Sequence, residues 1–258
     1  MNQPVNLYKT ERVGYIELNR PEKRNALNAE MVEAIKEALD KMEIDKDVKI
    51  VVIKAAGKVF CSGADLAYLQ SMQKNSFEEN LADSQNLKDL FQRIYSFPKV
   101  VIAQIQGHAL AGGCGLATIC DFSFAVPEAK FAYTEVKLGF IPALVMVFLI
   151  KKIGAGKAKH LLLDGDLISA GEAREIGLIN WVVEEEVLEE IVFKYAQKLA
   201  IGNSGQSMGK IKEMIAELEG KSLEEGLEYA SLMNAYARNS KDCQKGIASF
   251  LNKQNITW

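Results

Sequence analysis

Three short strand-like runs, set apart by helix-length segments, constrain this chain most. They are "GYIEL" at Gly14–Leu18, the stretch Ile50–Ile53 inside "KIVVIKA", and "VVIAQIQG" starting at Val100. Between the first two, Met31, Ile35, Leu39 and Met42 recur at helical spacing, which predicts an amphipathic helix from about Asn28. Between the second and third, a helical stretch from about Leu81 to Phe97 stops at Pro98. Strands that alternate with helices pair in parallel through right-handed crossovers, so the fold class is α/β. Beyond Ser169 the pattern turns almost wholly helical, through "EEVLEEIVFKYAQKLA", "MGKIKEMIAELEG" and "SLEEGLEYASLMNAYARNS". The reading is an α/β core over residues 1–195 and a helical region over residues 196–258.

Composition narrows the function classes. A net charge of −3 offers no basic excess for neutralising phosphates, so nucleic acid is not an expected partner. The first residues lack the apolar segment of a secretory signal, and the most apolar run, Phe140–Ile150, is too short to cross a bilayer. A cytoplasmic protein with no membrane partner is the expectation. Cys61, Cys114, Cys120 and Cys243 form no CxxC pair, and His108 and His160 are the only histidines, so no metal site is expected.

Three glycine motifs fail on inspection. "GAGKAK" at Gly154 lacks the upstream glycine of a phosphate loop and has Ala158 where a metal-binding hydroxyl is needed, which leaves a helix connector. "GCGLAT" from Gly113 fits only part of a dinucleotide fingerprint, and "GNSGQS" lacks the spacing of a nucleophile elbow. Two other segments work as a pair. "FCSGADL" is a tight turn after a buried strand, and "GHALAGGCGLA" opens a helix with small residues after another. Small side chains allow close approach to the backbone, and first-turn N–H groups carry the positive end of the helix dipole. Two such donors converging on one point would hold an oxyanion.

With these segments in place, the chain resembles the crotonase superfamily, the enoyl-CoA hydratase/isomerase family. The resemblance rests on "LNRPEKRNALN", "FCSGADL", "IQGHALAGGCGLATICDFSFA", "FAYTEVKLGFIP", "LLLDGDLISAGEAREIGLIN" and "FLNK", in order along nearly the whole chain. It implies a spiral of repeated ββα units with a helical C-terminal trimerisation region, and a homotrimer or homohexamer. It implies an acyl-CoA thioester substrate, with coenzyme A as part of that substrate and no separate cofactor. The family's oxyanion hole falls on the backbone N–H groups of Ala64 and Gly112. Its CoA-contacting positions fall on Arg24, Ala26 and Leu27, on Asp65 and Leu66 after Ala64, and on Phe250 and Lys253, the last two reaching a neighbouring subunit's CoA.

Two departures from the hydratase pattern stand out. Hydratases of the family use two glutamates; Glu135 matches one, and Gly115 stands at the position of the other. Where many continue "IPGGGG", this chain reads "IPALVMVFLI", which thickens a wall of the acyl pocket and points to a short or branched acyl group. A single carboxylate suits double-bond migration from the 3,4 to the 2,3 position, with Glu135 as acid/base at a raised pKa. The alternatives are a methylglutaconyl-type hydratase with water held by Asp65, His108, Tyr133 or Cys114, an acyl-CoA decarboxylase, and a non-catalytic CoA-ester-binding protein. A glutamate restored at position 115 is expected to raise hydration.

Overall fold

The computed structural model describes residues 3–258. The chain opens with an antiparallel hairpin of β1 (Val5–Thr10) and β2 (Val13–Leu18), then α1 (Ala29–Ile44), whose first turn is capped by the Asn28 side chain accepting from the Met31 N–H. Three turns of a strand–strand–helix unit follow. The first is β3 (Ile50–Ala55), β4 (Val59–Cys61) and the helices α2 (Leu66–Ser71) and α3 (Phe77–Tyr95); the second is β5 (Val100–Ile105), β6 (His108–Leu110) and α4 (Gly112–Ile119); the third is β7 (Phe122–Ala125), β8 (Lys130–Ala132) and α5 (Ala143–Asp164). Each turn gives its first strand to one sheet and its second to another. The larger sheet therefore runs β1-β2-β3-β5-β7-β10, and the smaller β4-β6-β8-β9, with β9 at Ile168–Ser169, α6 at Ala170–Glu175 and β10 at Trp181–Val182. The spiral of ββα units is present as expected, and within it β2, β3, β5 and β7 pair in parallel.

Burial explains which strands were legible. β3 and β5 are apolar almost throughout because both faces are covered. β1 shows its outer residues to solvent, and β4 and β6 are three residues each, too short to carry a period. "FCSGADL", read as a tight turn, thus begins with the last two residues of β4. Gly154 sits at φ 78 inside α5 and kinks it, in keeping with its reading as a helix connector.

Residue 195, the dividing point expected between core and helical region, falls inside α7 (Glu185–Gly202), which packs across β2, β3, β5 and β7 and buries Leu188, Val192, Ala196 and Ala200. Its continuous apolar stripe keeps the whole helix on the sheet. Three helices follow: α8 (Gly205–Leu218), α9 (Leu223–Arg238) and α10 (Lys241–Leu251). None buries a residue fully; Leu223, Leu227, Tyr236 and Phe250 are among the apolar side chains they expose. No helix among the described residues is long and apolar enough to cross a membrane.

Candidate active site

The smaller sheet assembles the site. β4, β6 and β8 are parallel neighbours, with Cys61 beside Ala109 and Leu110 beside Ala132. Their C-terminal ends release three segments side by side: residues 62–65, residues 111–112 and residues 133–135.

In the first segment, Leu27 pairs with the chain on either side of Ala64: its N–H donates to Gly63 O at 2.7 Å, and its carbonyl accepts from the Asp65 N–H at 2.8 Å. Gly63 has φ +87, and a Cβ there would lie 3.1 Å from the Gly112 nitrogen, so the two segments touch at the backbone. In the second, Ala111 has φ 50 and ψ −127, a conformation that favours glycine. Such a residue stores about 1–3 kcal/mol of strain and persists only when its surroundings hold it. Here its N–H donates to Ala132 O at 2.7 Å and its carbonyl accepts from the Gly115 N–H at 3.0 Å. The result turns the chain so that α4 starts at Gly112. Among the described residues, neither the Ala64 nor the Gly112 N–H donates to any acceptor. Two adjacent donors, one at the positive end of a helix, are thus available to an anion.

Glu135 follows β8 in a single 3-10 turn, residues 134–138, that closes at Gly139 in the left-handed region. It is 9% exposed, and its Oε2 is buried without a hydrogen-bond partner. Burial raises its pKa above the ordinary carboxylate value, opposed by a hydrogen bond from its own N–H. No ion pair among the described residues includes it; the neighbouring Lys137 pairs with Asp166. Beside the burial that dominates there, its charge adds to the raised pKa of Cys114, in the first turn of α4, and of Tyr133.

Of the four groups considered for orienting water, His108 is exposed and the other three are paired or buried. His108 begins β6, at the far end of that strand from Gly112; it is exposed, and its Nδ1 accepts from the Lys130 N–H at 3.2 Å. Asp65 pairs with Arg20 at 3.1 Å and caps α2; burial works against its charge, but Arg20 and the helix amides hold its pKa below the ordinary value. Burial pushes the Cys114 thiol up to about 12. Tyr133 is fully buried with its hydroxyl 2.9 Å from Thr118 Oγ1, and burial drives its pKa well up.

Of the CoA-contact candidates, Arg24 is exposed and Ala26 and Leu27 are buried in the loop after β2, while Leu66 is exposed at the start of α2. That loop is organised by a residue sequence reasoning missed. Asn25 is completely buried, sits at φ 53, donates to Ala56 O and Val59 O at 2.8 Å each, and accepts from the Arg20 N–H at 2.9 Å. Asparagine tolerates the left-handed region, and that preference within a turn-rich polar stretch was the available signal. Phe250 and Lys253 lie elsewhere. The C-terminal residue Trp258 bonds to Arg12 and Ile201, so the end of the chain sits before β2, whereas Arg24 lies after it. Six strand residues separate those ends by about 20 Å, so within one chain the structure does not bring Phe250 and Lys253 to the loop.

Comparisons with known proteins agree with this fold. The profile of the Enoyl-CoA hydratase/isomerase family matches residues 8–258. A protein of Thermus thermophilus is 41% identical over 242 residues, covering 94% of this chain and 95% of its own. Crotonyl-CoA hydratase of Syntrophomonas wolfei is 34% identical over 258 residues, 98% of this chain and 96% of its own. The crystal structure of an enoyl-CoA hydratase from Bacillus anthracis superposes with a TM-score of 0.90 at 30% identity, covering 99% of each chain. These matches cover nearly the whole chain in both sequence and fold, and the chain belongs to the enoyl-CoA hydratase/isomerase family.

Proposed function

We propose that the protein moves a proton on a short or branched enoyl-CoA thioester through an enolate, with Glu135 as its single acid/base and the Ala64 and Gly112 N–H groups as the oxyanion hole. The observation that carries this reading is the buried Glu135 Oε2, which has no protein partner while its pKa is raised. A buried carboxylate is a stronger base than a solvated one, and a pKa moved toward neutrality suits one group to both take and return a proton. The reaction it fits best is conversion of a 3-enoyl-CoA to a 2-enoyl-CoA. Glu135 takes a proton from C2, the electron pair spreads into the thioester carbonyl, and the two amides hold the resulting oxyanion. The same carboxyl returns the proton at C4, leaving the double bond between C2 and C3. Losing one preorganised donor of this kind costs about 3–4 kcal/mol of barrier. No metal or further cofactor enters; coenzyme A arrives as part of the substrate.

Hydration of a 2-enoyl-CoA is the second reading, favoured by the name of the Syntrophomonas relative. Glu135 would then deprotonate water at C3 and deliver that proton to C2. The two readings separate when the protein is incubated in heavy, ¹⁸O-labelled water with crotonyl-CoA, a 3-enoyl-CoA and 3-methylglutaconyl-CoA. Isomerisation yields the 2-enoyl thioester without ¹⁸O; hydration places ¹⁸O on C3. No turnover of any of the three, with no exchange at C2, would sink both readings.

The exposed apolar residues of α8, α9 and α10 support assembly into a homotrimer or homohexamer. In such an assembly Phe250 and Lys253 would reach a neighbouring subunit's CoA site. A cytoplasmic location accords with the chemistry.

A further inference from the structure

Gly115 and the wall residue Val145, two separate departures in the sequence, meet in space. A Cβ built on Gly115 would lie 2.8 Å from the Val145 Cβ and nearer still to its Cγ1, with Phe91 Cζ at 3.8 Å behind. Real Cβ atoms do not approach so closely, so one of the two must move. Val145 has little freedom to do so. It is 4% exposed, its β-branch holds one rotamer in a helix, and Leu149, one turn on, is fully buried. Gly115 stands three residues after Gly112, on the adjoining face of α4, so position 115 is the side-chain position of that helix one turn from the oxyanion donor. The volume a second polar group would need beside the donor therefore holds hydrocarbon.

Resting on the reading that Glu135 works as sole acid/base, we propose that Val145 is the specificity-determining residue of the site. By filling the space over Gly115 it denies water a polar anchor on the α4 side, so that hydroxide is not delivered to C3 of a 2-enoyl thioester, while the dienolate formed from a 3-enoyl thioester is still protonated at C4. The two departures are then one adaptation, and a glutamate restored at 115 alone cannot act as the sequence suggested, because Val145 occupies its place.

The test uses Gly115→Glu, Val145→Ala, and Gly115→Glu with Val145→Gly, each assayed for hydration against isomerisation with crotonyl-CoA and a 3-enoyl-CoA, and for melting temperature. Gly115→Glu alone should melt well below wild type, and the added Val145→Gly should recover most of that loss. The double variant should raise the hydration-to-isomerisation ratio at least ten-fold, and Val145→Ala, which only opens space for water, should raise it several-fold. An unchanged ratio in Val145→Ala overturns the proposal even if the double variant fails to fold. So does Gly115→Glu alone melting like wild type with the full rise in ratio. Deuterium exchange at C2 of butyryl-CoA by wild type needs only Glu135 and the two amides, so its absence marks failure of the single-base reading instead.

Discussion

Gly113 is pressed against the backbone of Cys61 so closely that a Cβ at this glycine would lie 2.6 Å from the Cys61 carbonyl carbon. This contact seats the first turn of α4 on the end of β4, three residues before Ala64. It therefore sets the separation of the Ala64 and Gly112 amides.

Neighbouring glycines should consequently respond very differently to alanine. At Gly112 a Cβ would meet Leu27 Cδ1 at 3.6 Å and Gly63 Cα at 3.8 Å, ordinary contacts, so Gly112→Ala should melt within a few degrees of wild type. Gly113→Ala forces backbone apart, with an expected loss of about 2–4 kcal/mol in chemical denaturation. In the folded fraction kcat should fall about 100-fold or more as the Gly112 amide leaves its position.

Glu135→Gln keeps the shape of the site and removes the base. Exchange at C2 in heavy water should fall by about 10²–10⁴, with acyl-CoA affinity by calorimetry nearly unchanged.

The same substitution should stabilise the protein in a pH-dependent way. Glu135 has a folded pKa above its ordinary 4.5, so folding is penalised by a buried charge once the pH exceeds the folded pKa. Below the unfolded pKa both states are protonated and the penalty is gone. Glu135→Gln should therefore melt higher than wild type at pH 8, by about 2–4 °C for each kcal/mol of relief, and the difference should vanish as the pH falls below 4.5. Differential scanning calorimetry across that range measures it.

In wild type, kcat/KM should rise with pH along a unit-slope acid limb whose pKa lies above 4.5, because only the ionised carboxylate takes a proton. A profile already flat at pH 5 would contradict the raised pKa.

Asn25→Asp should test the loop behind Leu27. The variant keeps the acceptor for the Arg20 N–H but loses both donors to Ala56 O and Val59 O and buries a charge beside two carbonyls. A loss of about 2–4 kcal/mol is expected. KM for acyl-CoA should rise as Arg24 and Ala26 shift with the loop, and kcat should fall as well, since Leu27 holds the backbone on either side of Ala64.

Much of the fold was legible because its signals are local. The β-branched runs of β3 and β5 are buried on both faces, and the helical spacing of Met31, Ile35, Leu39 and Met42 matches their burial in α1. β1, β4 and β6 escaped because a polar edge strand or a three-residue strand has no periodicity to read. In the site, Ala64, Gly112 and Glu135 followed from motif position, and the structure brings their three segments to adjacent strand ends. Asn25 and the strained Ala111 were not found, since their importance lies in backbone angles and in partners 31 to 34 residues away for the one and 21 for the other.

The sequence by itself determined the alternation of strand and helix, the glycines at two helix and turn starts, and the presence of Glu135 with Gly115 where the family resemblance implies a second glutamate. Only the tertiary structure decided that Glu135 is buried with one carboxylate oxygen lacking a partner, that His108, Asp65, Cys114 and Tyr133 are engaged or buried, and that Val145 fills the space over Gly115. Periodicity and propensity act between near neighbours, so they are written along the chain. Desolvation and steric exclusion act across packed elements, here α4 against α5 and β6 against β8, and exist only once those elements meet.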